Sequence, residues 1–326
     1  MTVTALKQLS GAPATRILGV GSTQPDTVVT NDDLASRMDT NDQWIRERVG
    51  IVERRFAGPE VSLVDMAVEA GTRALADAGL TAAEVDTVIV PNCTMPAPIP
   101  NAAAQVADRI GIQAAGAFDL NAACAGFCYA LGVASDLIKA GSAGTVLVIG
   151  SEKLTDVVDP YDRANAIIFA DGAGAAVVGA AEQPEIGPVS WGSAGDLVDT
   201  IYMRDHRYIY QEGQAVFRWA TTKIAPVALR AVEAAGLSAA DVDALIPHQA
   251  NLRIVEAIGK RLRTHGARED MVVADDIVYS GNTSSASIPM ALDHMRVKGQ
   301  VTKGDVVLIV GFGAGLSYAG QVIIAP

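Results

Sequence analysis

The chain has 326 residues, half of them hydrophobic and 5% aromatic, with a formal net charge of −12. It is long enough for one large domain or two of ordinary size around a well-buried core. The acidic balance disfavours nucleic acid and anionic membrane as general partners, and no apolar run reaches the length that spans a membrane. Three cysteines, an odd count, make no disulfide framework and fit a reducing cytoplasm. The N-terminus lacks a basic region followed by an apolar block, so it does not read as a secretory signal.

Residues 1–15 are small and polar, a loose leader. Residues 16–21 read as the first strand, and Gln24-Pro25-Asp26 as the turn after it. Asn31 is predicted to cap a short helix through Arg37, and Asp42 a second over 43–48. On that second helix Trp44 and Arg48 share a face. They are either a core indole beside a solvated charge or a pair that stacks on a nucleotide-like ligand. Residues 62–78 form a helix ended by Gly79, and 85–90 a strand. A β-like run over 117–120 then gives way to small residues, and Cys124 begins a helical pattern through Phe127, Leu131, Ala134, Leu137 and Ile138. A cysteine at a strand-to-helix junction meets free N–H groups and the positive end of the helix dipole. There its thiol pKa can fall, and the thiolate is the reactive form. A buried structural cysteine is the competing reading. Asp171-Gly172-Ala173-Gly174 lacks the Lys-Ser/Thr of a phosphate loop and reads as a tight turn before a strand. Residues 184–191 bridge to the rest, and 196–211 read as a polar, tyrosine-containing loop or lid.

Two segments of the chain repeat. ALADAGLTAAEVD, centred on Gly79, returns as EAAGLSAADVD around Gly236, an offset of 157 residues, and each leads into an apolar strand. VLVIG, ending at Gly150, returns as VLIVG ending at Gly311, an offset of 161. A period near half the chain is too long for a solenoid and implies two similar α/β halves, 1–180 and 181–326. Cys124 in the first half and Asn282 in the second then fall at roughly equivalent helix starts, near the interface between halves, where sites commonly form.

Among the four histidines, His206, His265 and His294 read as solvated or packing residues. His248 differs because it ends a strand of the second half, a common place for ligand-handling groups in α/β folds. Asn282, between Gly281 and a Ser/Thr cluster, is on spacing alone a turn residue or N-cap. Gly311-Phe312-Gly313-Ala314-Gly315 is either a plain glycine turn or a stretch whose N–H groups face a ligand. Cys124, His248, Asn282 and the Gly313–Ala314 step thus supply a nucleophile, two hydrogen-bond donors and oxyanion-binding backbone.

AACAGF around Cys124, PHQANLRI around His248, GNTSSAS around Asn282, GFGAG near the C-terminus and DRANAIIFADGAGAAVV at 162–178 resemble the β-ketoacyl-ACP synthase III family. EGQAVFRWA at 212–220 most resembles its actinobacterial members. The resemblance implies a thiolase-like fold of five layers, αβαβα, as a homodimer, in a cytoplasmic enzyme that needs no cofactor or metal. It implies that Cys124 takes an acyl group from acyl-CoA, with the N–H groups of Cys124 and of Gly313 or Ala314 holding the oxyanion. His248 and Asn282 would then stabilise the enolate made from malonyl-acyl carrier protein. It further implies that Trp44, Arg48 and Arg163 meet the nucleotide end of CoA, and that Gly213, Phe217 and Asn251 line the pantetheine tunnel. Ile99 and Phe312 match acyl-pocket positions, and Arg218, Arg253, Lys260 and Arg261 form a basic patch for an acidic carrier protein.

Two departures bear on the substrate. The segment between Thr200 and Gly213 is shorter than usual in the family, and Ile99 stands where many members place Phe. Rival chemistries lack their marks: a degradative thiolase has a second catalytic cysteine near the C-terminus, elongating synthases use two histidines, and papain-like hydrolases carry their own cysteine signature. A relative serving polyketide or other specialised metabolism is the nearer alternative.

Overall fold

The computed structural model describes residues 9–326. In the first half, β1 (Ala14–Thr23) and β2 (Val28–Thr30) lead to α1 (Asn31–Ala35) and α2 (Asp42–Val49). Next come β3 (Glu53–Arg55), α3 (Leu63–Ala78), β4 (Thr87–Pro91), α4 (Ala102–Ile110), β5 (Gly116–Leu120), α5 (Gly126–Ala140), β6 (Thr145–Lys153) and β7 (Asp171–Ala181). The second half opens with β8 (Ser190–Gly192), β9 (Ile201–Arg204), β10 (Tyr208–Gln211) and α6 (Gly213–Ala234). It continues with β11 (Ala244–Pro247), α7 (Leu252–Thr264), β12 (Val272–Val273), α8 (Ile277–Ser280), α9 (Ser287–Val297), β13 (Val306–Phe312) and β14 (Tyr318–Ile324).

The duplication is visible in the pairing. One sheet runs β1-β7-β6-β4-β5, and the other, read from its far edge, β8-β14-β13-β11-β12. In both, the three last-named strands are parallel and the two others antiparallel to their neighbours. Strand alternation then assigns the layers. Val146 and Val148 of β6, with Val307 and Ile309 of β13, face a central layer made by Phe127, Leu131 and Ile138 of α5 and Ile288, Leu292 and Met295 of α9. Leu147 and Ile149 face outward onto α3 and α4, and Leu308 and Val310 onto α6 and α7. Strands apolar on both faces need a helix layer on each side, so the result is five layers, αβαβα.

Several local expectations are corrected. Thr30, not Asn31, caps α1, with Asp33 completing a capping box. Asn31 is buried, and its amide donates to Asp42 and to the Ile51 carbonyl. Asn41, not Asp42, caps α2 by accepting from the Trp44 N–H. The Asp171–Gly174 run is no turn: it lies in β7, paired with β6 from Lys153 to Gly150. The 196–211 segment holds an antiparallel hairpin, β9–β10, closed by Asp205 and His206 at φ 53° and 54°. Arg204 pairs with Tyr208, so the loop has three residues, and the two successive left-handed ones turn the chain so that the Arg207 N–H donates to the Arg204 carbonyl. His294, read as a solvated or packing residue, takes the packing role: it is half-buried and bonds Asp276 at 2.7 Å. The span Ala123–Ala140 is long and apolar enough to cross a membrane by length and composition, yet 56% of it is buried, as suits a helix packed between two sheets.

Candidate active site

Segments from both halves converge on one cavity of about 870 Å³. From the first half, Cys124 enters on the tight turn Ala123–Ala125 that leads into α5. From the second, His248 follows the last residue of β11, Asn282 follows α8, and Phe312 ends β13; all three line the same cavity. The sequence placed the cysteine, histidine and asparagine on separate segments; the meeting of the two sheets brings them together.

Burial governs the electrostatics. Cys124 shows part of its surface to the cavity, but the protein screens its sulfur from bulk water, and that desolvation pushes the thiol up to about 12. The expected lowering at a helix start is therefore overturned: loss of hydration outweighs the hydrogen bond from Ser284. His248 is 2% exposed, and burial lowers its ring to about 3, so it is a neutral imidazole at neutral pH. Its Nδ1 shares a 2.7 Å hydrogen bond with the Ser287 hydroxyl, and the Phe312 ring meets it edge-on at 5.2 Å. Asn282 accepts the Ser284 N–H on Oδ1 at 2.9 Å, which leaves its amide N–H groups as donors.

The backbone opposite Cys124 is specific about its residues. A Cβ on Gly313 would stand 2.6 Å from the Cys124 nitrogen, closer than any side chain tolerates. The Gly313 N–H, one of the two expected to face a ligand, instead donates to the Ser317 carbonyl at 3.0 Å. Ala314 opens the short turn Ala314–Leu316, where a first N–H has no carbonyl within its own turn.

The remaining predicted residues divide. Arg48, Gly213, Phe217 and Asn251 line the cavity, as do Arg218 and Arg253 at its exposed rim. Trp44 and Arg163 lie outside the lining, but the Arg163 guanidinium sits 4.1 Å over the Trp44 ring and that of Arg48 5.7 Å from it. Asn251 caps α7 and donates to the Arg48 carbonyl at 3.2 Å, tying α2 to α7. Lys260 and Arg261 are exposed farther along α7, away from the cavity. Ile99 is 81% exposed on the outer surface and does not reach this cavity.

Sequence reading missed a second layer. Glu152 is fully buried behind the site, accepting from the Cys93 N–H, Thr94 and Ser285. Burial raises its carboxyl pKa despite those bonds. Cys93 lines the cavity with its Sγ 3.7 Å from the Ser284 hydroxyl. The available signal was a charged residue at the end of the apolar run 146–150. Arg54 is 0% exposed, bonding Asn31 and the Ile167 carbonyl, and burial lowers it to about 10.

Comparison with known proteins agrees with this geometry. Residues 118–195 match the family described as 3-oxoacyl-[acyl-carrier-protein (ACP)] synthase III, and residues 232–324 match its C-terminal part. A β-ketoacyl-[acyl-carrier-protein] synthase III of Streptomyces glaucescens is 47% identical, with 98% of this chain and 99% of that one covered. Among solved structures, a priming β-ketosynthase of the R1128 polyketide biosynthetic pathway superposes with a TM-score of 0.94 at 41% identity, covering 98% of both chains. A 3-oxoacyl-[acyl-carrier-protein] synthase III from Aquifex aeolicus does so with 0.90 at 37% identity, over 95% of this chain and all of the other. Near-full-length identity of this order, on the same two-sheet architecture, means that the chain belongs to the β-ketoacyl-ACP synthase III family.

Proposed function

We propose that the protein condenses an acyl-CoA primer with malonyl-acyl carrier protein, initiating fatty acid synthesis. The observation that carries this reading is the convergence of Cys124, His248 and Asn282 on one cavity, the cysteine from one half and the two donors from the other. Cys124 attacks the acyl thioester, forming an acyl–sulfur bond as the CoA–sulfur bond breaks, and its thiol proton leaves with CoA. The N–H groups of Cys124 and Ala314 hold the developing oxyanion, with Gly313 as the spacer that lets them approach. Malonyl thioester then loses CO₂, the electron pair of the broken bond moving onto its carbonyl oxygen. His248 and Asn282 donate hydrogen bonds to that oxygen. The resulting carbanion equivalent attacks the acyl-cysteine, and the Cys124 sulfur departs as a thiolate that takes up one proton from solvent to restore the thiol.

Acyl transfer and decarboxylation need a nucleophile and hydrogen-bond donors, which these side chains supply, so the reading requires no cofactor. CoA lies along the cavity with its adenine against the Trp44–Arg163–Arg48 stack and its pantetheine past Gly213, Phe217 and Asn251. The exposed Arg218 and Arg253 at the mouth, with Lys260 and Arg261 beyond, receive the carrier protein on an otherwise acidic surface. β5 is an edge strand that carries the exposed Phe118, and Ile99 is exposed in the loop before α4. An unpaired edge with apolar neighbours supports a homodimer formed there, with Ile99 and Phe312 contributing to acyl pockets. Halves bounded at 1–180 and 181–326, and a cytoplasmic location for three free thiols, complete the reading.

The R1128 relative favours one second reading: a starter-unit synthase of a specialised pathway. The experiment is a panel of straight and branched acyl-CoAs followed by intact mass spectrometry, then malonyl-acyl carrier protein. One acyl mass on Cys124 and a β-ketoacyl product support the proposal; an unchanged mass with every primer refutes it.

A further inference from the structure

Whether His248 can donate to an enolate depends on which ring nitrogen carries the proton, and its surroundings decide that. The ring is neutral and 2% exposed, so only one of its two nitrogens is protonated. Nδ1 meets the Ser287 hydroxyl at 2.7 Å. That same oxygen accepts the Gln249 N–H at 3.3 Å. Among the described residues these are the only partners found for the Ser287 side chain. If Nδ1 carried the proton, the Ser287 oxygen would accept from both neighbours, and its own proton would be buried with no acceptor. Such a group is costly in a site where Ser287 is also 2% exposed. If the hydroxyl donates to Nδ1, every group is satisfied, and the proton stays on Nε2. The frame around this bond is fixed. The Gln249 side-chain amide donates to the Pro247 carbonyl at 2.7 Å and accepts from the Ile277 N–H at 3.1 Å, which ties the residue into the segments on either side of this bond. Ser287 is the first residue of α9, five places after Asn282, so the turn that orients the asparagine amide also carries the hydroxyl that orients the imidazole.

We propose that Ser287 is a positioning residue for the condensation: its hydroxyl donates to His248 Nδ1, fixes the Nε2–H tautomer, and thereby makes the histidine a donor to the enolate oxygen and not a base. The inference rests on the condensation reading above for its consequence, but not for the tautomer itself. Nitrogen-15 NMR of histidine-labelled protein, with His248 assigned from the His248→Gln variant, should show an unprotonated Nδ1 and a protonated Nε2. In Ser287→Ala the second tautomer should become populated. Malonyl decarboxylation should fall about tenfold or more, as for other groups that orient a reacting side chain. Acylation of Cys124 by acyl-CoA should fall by less. Ser287→Thr, which keeps the hydroxyl, should recover the wild-type tautomer and part of the rate. A protonated Nδ1 in the unmodified protein overturns the proposal. So does a Ser287→Ala protein that decarboxylates at the original rate. Failure of the unmodified enzyme to condense any primer would refute the condensation reading while leaving the tautomer measurement to stand on its own.

Discussion

Phe169 and Asn282 form an isolated parallel bridge across the two halves of the chain. The Asn282 N–H donates to the Ile168 carbonyl and its carbonyl accepts from the Ala170 N–H, both at 2.9 Å. A residue expected to be a turn or cap is therefore held as a short strand against the segment leading into β7. Arg54 supports the same segment through the Ile167 carbonyl at 2.9 Å. Gly281 makes the approach possible: at φ 69° it has a conformation that L residues avoid, and a Cβ there would meet Arg54 and Ala170 at 2.9 and 2.8 Å.

Gly281→Ala should therefore combine backbone strain with overpacking. We expect a loss of about 3 kcal/mol in unfolding free energy, read by urea denaturation. A stability within 0.5 kcal/mol or so of the original would mean that the bridge adjusts freely.

His248→Ala and Asn282→Ala should each slow malonyl decarboxylation by about 10²–10³, the usual cost of one donor to a developing oxyanion. Acylation of Cys124 should be far less affected. The two half-reactions separate by mass spectrometry, and a His248→Ala enzyme that releases CO₂ normally would remove the histidine from its role.

Gly313→Ala should act on the other half-reaction. The new methyl must displace the Cys124 nitrogen, 2.6 Å from its ideal position. Acyl transfer to Cys124 should fall about 100-fold, measured by quenched-flow mass analysis, with cooperative unfolding retained. An unchanged acylation rate would show that the oxyanion site tolerates the shift.

The buried imidazole gives a pH signature. The ordinary value for His248 is 6.5 and the folded one about 3. Between those values the unfolded chain binds a proton that the folded chain does not, so stability falls as pH drops from 6.5 towards 3. The slope contributed is at most about 1.4 kcal/mol per pH unit. His248→Gln should flatten the acid loss of stability relative to the parent; parallel curves over pH 7 to 4 or so would contradict a neutral, desolvated ring.

Arg253 stands at the rim with its guanidinium 5.0 Å from the Phe217 ring. Arg253→Glu should raise KM for the carrier-protein substrate more than for acyl-CoA, with the difference shrinking at high salt. Equal effects on both substrates would place the residue in the CoA tunnel and not on a docking surface.

The amino-acid sequence by itself determined the two-half architecture, through the repeats at Gly79/Gly236 and Gly150/Gly311 and through strand runs apolar on both faces. Cys124 and His248 could be picked out from it because each stands where an apolar strand gives way to small or polar residues, whereas Asn282, on spacing alone a turn or cap, could be named only through the resemblance of its GNTSSAS motif. Only the tertiary structure decided what surrounds them. Desolvation raises Cys124 where a helix end alone would lower it; the Gly313 N–H turns to the Ser317 carbonyl; and the Ser287 hydroxyl and the Ser284 N–H bond His248 and Asn282. These relations depend on distances between segments up to half the chain apart and on how much water remains between them. Neither spacing nor composition carries that information.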